Sequence, residues 1–251
     1  MINLKTLFFG NRKGGVGKTS ISTNVAYALA ESWEARVLFV DNDSQGNASS
    51  WFNADTSATL ANLYLDGAHA AEVIQHTRYP NIDIIASDKG LVDANLAILK
   101  DSNIKQDDIL KNALDEVSDQ YDICIIDNPP EMNVSVLNAL IAADDVVVIT
   151  NPDAYSLQGV YMMADEIENA KPFNSKLKIT GVLLNKFAST INGYSYIDDL
   201  KKSFPVFPTR IRYTADRLDS VTRQKKSIYE SSPQCGFARD LLKFIEKLLE
   251  Q

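Results

Sequence analysis

The sequence predicts an α/β fold with a mostly parallel central sheet and helices on both faces. Six short apolar runs, at residues 4–9, 36–40, 82–86, 123–126, 146–150 and 179–184, carry that expectation. Their apolarity is continuous rather than alternating, as strands covered on both faces require. Amphipathic segments separate them, and glycine-rich or acidic stretches follow several of them. In such a sheet ligands gather at the carboxyl ends of the strands.

The first run leads into Lys13-Gly14-Gly15-Val16-Gly17-Lys18-Thr19, and a helix is predicted over 20–30 with Ile21, Val25, Ala28 and Leu29 on one side. Strand, glycine loop and helix together make a phosphate-binding loop. The glycines let the chain curl so that successive amides face phosphate oxygens, and the helix dipole adds partial positive charge there. Lys18 is placed to reach the β and γ phosphates of ATP, and the Thr19 hydroxyl to hold Mg²⁺. Ser20 completes the nucleotide-binding stretch. The usual pattern is Gly, four free positions, then Gly-Lys-Ser/Thr. Here Arg12 stands at the first glycine and Lys13 is an additional cation.

The second run delivers Asp41-Asn42-Asp43-Ser44-Gln45-Gly46-Asn47. Two carboxylates one residue apart beside a phosphate site need a metal, a lysine or ordered water to offset their repulsion. Asp43 or Ser44 could equally cap a helix begun at Gln45. The fourth run ends in Asp127-Asn128-Pro129-Pro130, an acid directly after β-branched residues, suited to holding a water of a Mg²⁺ shell. The prolines would stiffen the loop that follows.

These motifs, in this order, resemble the ParA/MinD family of P-loop NTPases with a deviant Walker A motif, in particular its ParA/Soj-type partition ATPases. The resemblance runs from residue 2 to the C-terminal helix. It implies that Lys13 crosses a homodimer interface to phosphates bound by the other copy, the logic of an arginine finger. It implies that Asp43 positions the attacking water, with Lys13 and Lys18 as its catalytic companions, and that Asp41 supports the metal shell. Ser44 stands where the family has proline, and Glu131 is less typical at its place. Asn185 in Gly181-Val182-Leu183-Leu184-Asn185-Lys186 resembles an adenine-contacting asparagine; a turn-forming residue is the alternative reading. Arg217-Leu218 resembles an Arg-Leu pair used on DNA.

The 251 residues carry a net charge of −8, and the charge is uneven. Residues 201–226 hold Lys201, Lys202, Arg210, Arg212, Arg217, Arg223, Lys225 and Lys226 against Asp216 and Asp219, net +6, leaving −14 for the other 225. Such a patch suits salt-dependent binding of double-stranded DNA without sequence preference, with Arg210, Arg212, Arg217 and Arg223 as the candidate contacts. A solvated helix face gives the same pattern. No recognition helix or N-terminal DNA-reading domain is read before the strand at residue 4, so specific operator reading is not expected.

Leu241, Leu242, Phe244, Ile245, Leu248 and Leu249 repeat at helical spacing, and the polar positions between them balance in sign. A core-packing final helix is expected rather than a basic helix on anionic lipid. Cys124 within an apolar run and Cys235 in an expected loop form no disulfide framework, which fits a reducing cytoplasm. His69 and His76 read as exposed loop or helix residues. Scattered prolines and glycines leave no linker, so one domain over 1–251 is expected.

The function implied is an ATP- and Mg²⁺-dependent partition ATPase, nucleoid-associated, that dimerises with ATP and binds DNA. A ParB-like centromere-binding protein would stimulate its slow hydrolysis. A MinD-like membrane-surface ATPase is the alternative, and a metabolic or iron–sulfur P-loop protein is a more distant one.

Overall fold

The computed structural model describes residues 4–100 and 107–251. Residue 2, where the resemblance begins, and the side chain of Asp216 lie outside the description. Eight strands form one sheet: β1 (Lys5–Gly10), β2 (Val37–Asp41), β3 (Ile74–His76), β4 (Ile82–Ile85), β5 (Ile123–Asp127), β6 (Asp145–Thr150), β7 (Ile179–Phe187) and β8 (Val206–Arg212). Their spatial order is β3-β4-β2-β5-β1-β6-β7-β8. Neighbours are parallel throughout except for β3 against β4.

Helices α1 (Lys18–Ser32), α2 (Asn47–Phe52), α3 (Leu60–Leu65) and α4 (Ala70–Val73) precede α5 (Gly90–Lys100) and α6 (Ile109–Glu116). Then come α7 (Val134–Ala142), α8 (Ala154–Ala170), α9 (Ile191–Lys201), α10 (Ala215–Arg223), α11 (Ile228–Ser231) and α12 (Gly236–Leu249). Successive strand residues point to opposite faces. Leu7, Phe9, Phe39, Ile125 and Leu183 therefore pack under α1, α2 and α10 to α12. Phe8, Leu38, Ile126, Val148 and Leu184 pack under α3 to α9. Both faces are covered, which is why the strands read as unbroken apolar runs.

The predicted runs match strands to within a residue at most ends, with one exception. Strand β7 continues to Phe187, so Asn185 is a buried strand residue and not a turn residue. Strands β3 and β8 were not anticipated. Strand β3 has three residues and a single aliphatic one. Strand β8 alternates, burying Phe207 and Ile211, and as an edge strand it tolerates Pro208.

Helix α1 starts at Lys18, two residues earlier than expected. Helix α2 starts at Asn47, after Gly46 in the left-handed region at φ 62°, and not at Gln45. In the final helix, Phe237, Leu241, Phe244, Ile245 and Leu248 are buried, as expected of a core element, while Leu249 stays half exposed. Cys235 is the buried N-cap of α12 rather than a loop residue, with its Sγ accepting from the Ala238 amide at 3.5 Å. His76 lies on β3, neither loop nor helix, and His69 N-caps α4.

Candidate nucleotide site and basic surface

The glycine loop bridges β1 and α1. Gly15 and Gly17 have φ of 74° and 94°, a region that suits glycine and few other residues. Gly17 meets a second constraint, because a Cβ there would lie 2.3 Å from Asn185 Nδ2. It is also the N-cap of α1, and no side chain caps the helix. The first amides of α1 are thus open to an anion, and the dipole favours one there.

Side chains from distant segments hold the loop. Asn11 Nδ2 donates to the Ile149 carbonyl at 2.7 Å, and its Oδ1 accepts from the Lys13 amide at 2.8 Å. Asn185 Nδ2 donates to the Val16 carbonyl at 2.8 Å, and Lys186 Nζ to the Gly15 carbonyl at 2.8 Å. Lys186 sits at φ 51° and was not anticipated; following an asparagine at the end of an apolar run, it carries no sequence signal of its own. Gly159 on α8 lets the loop approach, since a Cβ there would lie 2.2 Å from Asn11 Oδ1.

The two lysines of the loop go to different places. Lys18 is buried, with Nζ 3.4 Å from the carbonyls of Asn11 and Lys13. Burial pushes its pKa down, opposed by the charges of Asp127, Asp43 and Glu131. Lys13 is exposed, with Nζ 5.9 Å from the centre of the Tyr155 ring on α8.

Strands β2 and β5 put Asp41 and Asp127 side by side in register. Both are fully buried, and the arrangement is tolerated for different reasons. Asp41 Oδ2 accepts from the Ser49 amide and hydroxyl, each at 2.7 Å, and its Oδ1 from the Asp43 amide at 3.2 Å. Burial nevertheless raises its pKa to about 6, with those hydrogen bonds pulling the other way. Asp127 is raised by burial and then by the Asp41 charge, while Thr19, Lys18 and Ser22 lower it. Its Oδ1 is buried without a hydrogen-bond partner. An orphaned carboxylate oxygen beside the Thr19 hydroxyl fits the shell of a hard divalent cation, which takes oxygen ligands and keeps several waters.

Asn42 and Asn128 lock the ends of the central strands together. Asn42 Nδ2 donates to Asn128 Oδ1 at 2.8 Å, and Asn128 Nδ2 donates to the carbonyls of Phe9 and Ile126. Asp43 is half-buried, and its Oδ1 accepts from the Gln45 amide at 2.9 Å, closing a turn rather than capping a helix.

A cleft of about 880 Å³ lies over the glycine loop and is lined by Lys18, Thr19, Ser20 and Asp43, whereas the buried Asp41 and Asp127 lie beneath its surface and do not line it. Helix α2, Pro130, Asn185 and Lys186 line it too. Tyr213, Leu218, Asp219, Thr222, Arg223 and Lys225 also line the cleft. Lys18 lines this space, and among the described residues Lys13 does not.

The basic run is spread over several elements: Lys201 ends α9, Arg210 and Arg212 lie on β8, Arg217 and Arg223 on α10, and Lys225 and Lys226 follow α10. Arg210 lies on β8, its guanidinium 5.2 Å from the ring centres of both Phe187 and Tyr194. Arg212, also on β8, is paired with Asp240 of α12 through Nε at 2.6 Å and Nη2 at 2.7 Å, a contact not anticipated. Arg217 and Arg223 are exposed on α10, and Arg223 also reaches the cleft. No described helix is long and apolar enough to cross a membrane.

Comparisons with known proteins bear on the same residues. A family profile described as an AAA domain matches residues 4–179. Soj, the sporulation initiation inhibitor protein of Bacillus subtilis, is 35% identical over 205 residues, 80% of each chain. The cell division protein PomZ of Myxococcus xanthus is 31% identical over 248 residues, 96% of this chain and 76% of PomZ. Among solved structures, Cyanothece McdA in an ATP complex aligns at TM-score 0.87 and 24% identity, over 100% of this chain and 96% of McdA. Cobyrinic acid a,c-diamide synthase of Mycobacterium smegmatis, with ATP analogue and magnesium, aligns at 0.84 and 25% identity, over 98% and 95%. The last match shows that the architecture also serves small-molecule synthesis, so the relatives of like sequence decide the branch. With its glycine loop, two lysines and paired strand-end acids in place, this chain belongs to the ParA/MinD family of P-loop ATPases, among the Soj- and ParA-like partition proteins.

Proposed function

We propose that the chain is a DNA-partition ATPase whose homodimer forms around ATP and Mg²⁺, binds double-stranded DNA without sequence preference, and disassembles on hydrolysis. One observation carries the reading: Lys18 lines the nucleotide cleft, whereas Lys13, on the same loop, is exposed outside it. A cation held at the lip of a phosphate site and turned out of it is suited to another copy's ligand.

The amides of Gly14 to Thr19 and Ser20 would bind the phosphates, with Lys18 on the β and γ groups and Asn185 toward the base. Thr19 and Asp127 would hold Mg²⁺, with Asp41 behind them. The metal supplies neutralisation of phosphate charge. Asp43 would orient the attacking water. With no strong base among the described residues that line the cleft, turnover would depend on positioning and electrostatics and be slow until a ParB-like partner completes the site. Arg210, Arg217 and Arg223, with Arg212 beside them, would face DNA phosphates, and pairing two such faces raises avidity. The protein would then be cytoplasmic and nucleoid-associated. Burial of the apolar residues of α12 favours this over a MinD-like lipid-binding role.

The test is a DNA mobility shift with ATP, ADP or no nucleotide at several salt concentrations, alongside light scattering with a non-hydrolysable ATP analogue and Mg²⁺. ATP-dependent dimerisation and DNA binding, both lost in Lys13→Ala while nucleotide still binds, is the expected result. A chain that stays monomeric with saturating analogue, or that pellets with anionic vesicles instead of shifting DNA, would overturn the proposal.

A further inference from the structure

Two helices that line the nucleotide cleft are tied together by a contact between unusual helix ends. Helix α2 forms the wall behind Asp43 and contributes Asn47, Ser50 and Trp51 to the lining. It ends at Asn53, in the left-handed region at φ 57°, with the Asn53 amide donating to the Ser50 carbonyl and the Ala54 amide to the Ser49 carbonyl. Helix α10 also lines the cleft, through Leu218, Asp219, Thr222 and Arg223, and ends the same way. Lys225 sits at φ 54°, its amide donating to the Thr222 carbonyl and the Lys226 amide to the Val221 carbonyl. Both are left-handed terminations in which glycine is the usual residue at the reversed position, with asparagine an occasional substitute.

A lysine is a poor choice there on backbone grounds, so its side chain is the feature to account for. Lys225 Nζ donates to Asn53 Oδ1 at 2.6 Å, joining residues 172 apart in sequence. The ammonium thereby sits against the C-terminus of α2, where the helix dipole favours a cation. Left-handed non-glycine residues persist where the surroundings hold them, and they collect at ligand clamps and switch regions.

We infer that Lys225 and Asn53 form a clasp between α2 and α10 that holds the cleft closed on bound nucleotide and sets the rate of nucleotide exchange. This rests on the nucleotide-site reading above and names a control on that site. Both are positioning residues. They act by fixing α2, the helix that follows Asp43 in the chain, relative to α10.

The experiment is stopped-flow release of a fluorescent ATP analogue, chased with excess unlabelled ATP, from the wild-type chain and four variants. Glycine at either position keeps the left-handed backbone and removes the contact, so Asn53→Gly and Lys225→Gly are expected to fold as the wild type does. Each should speed release on the order of three- to tenfold, the range of one net hydrogen bond. The double variant should be no faster than either single one, because both remove the same contact. Asn53→Asp keeps the acceptor and adds a charge, so it should slow release, which loss of general stability would not do.

Release rates within about twofold of wild type in both glycine variants, additive acceleration in the double variant, or faster release from Asn53→Asp would each overturn the clasp. A wild-type chain that binds no analogue would instead refute the nucleotide-site reading, and the clasp's role with it.

Discussion

Replacing Asp240 by asparagine should weaken the fold and strengthen DNA binding at once. The carboxylate is 9% exposed and accepts three hydrogen bonds from Arg212, from its amide, Nε and Nη2. The Arg212 side chain is 56% exposed, so water screens the pair and only part of a buried bridge's worth is at stake. A loss of about 1–2 kcal/mol follows for the bidentate, charge-assisted contact. For a chain of this size that lowers Tm by roughly 2–8 °C. The guanidinium meanwhile loses its counter-charge on the face that also carries Arg210.

One more cation per copy, two per dimer, should steepen the slope of log affinity against log salt by about 1.8. Between 50 and 200 mM salt this is an additional fall in affinity of roughly tenfold, with the variant tighter than wild type at the low end. Differential scanning calorimetry reads the first effect, and a salt series of DNA titrations with saturating ATP reads the second. A destabilised variant with an unchanged salt slope would show that Arg212 is a strut between β8 and α12 and no part of a DNA face.

Other outcomes follow from the site. Lys18→Ala should abolish nucleotide binding by calorimetry, since it removes the buried cation of the loop. Asp43→Ala should bind ATP and dimerise but hydrolyse at least about a hundredfold more slowly, the usual scale for a water-positioning group; near-normal phosphate release would remove Asp43 from the chemistry. Gly17→Ala should lose nucleotide affinity and about 2–4 kcal/mol of stability in urea, because strain at positive φ and overpacking against Asn185 add. The Asp41 pKa is raised to about 6 in the fold, so between roughly pH 4 and 6 the folded state binds the extra proton. In the nucleotide-free protein this acid's contribution should therefore make stability fall as pH rises through that window, by about 3 kcal/mol in total. Subtracting urea curves of Asp41→Asn isolates it, and a pH-independent difference would mean that Asp41 ionises as freely in the fold as out of it.

The parts legible in the sequence are those whose chemistry is local. The loop, the strand-end acids and the covered strands each announce themselves within about ten residues, through glycine spacing or continuous apolarity. What escaped reading is held by partners distant in sequence. Nothing near Asn185 signals that its amide will meet Val16, 169 residues away, or that Lys186 will reach Gly15. Nothing near Arg212 points to Asp240. Strand β8 was hidden because two arginines and a proline mask its alternation, and only its place at the sheet edge makes such a strand possible. The basic run therefore looked like one surface, while the fold spreads it over the end of α9, the edge strand β8, α10 and the residues that follow α10.

The paired acids show how the fold separates two identical side chains into different tasks. Buried carboxylates in register repel, and each must be offset by its own surroundings. Asp41 takes three donors, all from the segment 43–49, so it tethers the stretch that carries Asp43 to the end of β2. Asp127 keeps one oxygen without a partner and faces Thr19 and Lys18. The unsatisfied oxygen of Asp127 would take a metal-bound water, and a divalent cation held there would relieve the repulsion on both acids. Metal binding should therefore lower the pKa of Asp41 as well as that of Asp127, and so tighten the hydrogen bonds that hold the Asp43 segment in place. With the proposed metal bound, occupancy of the phosphate site and order in the segment that carries Asp43 would be coupled through a carboxylate that need never touch the metal.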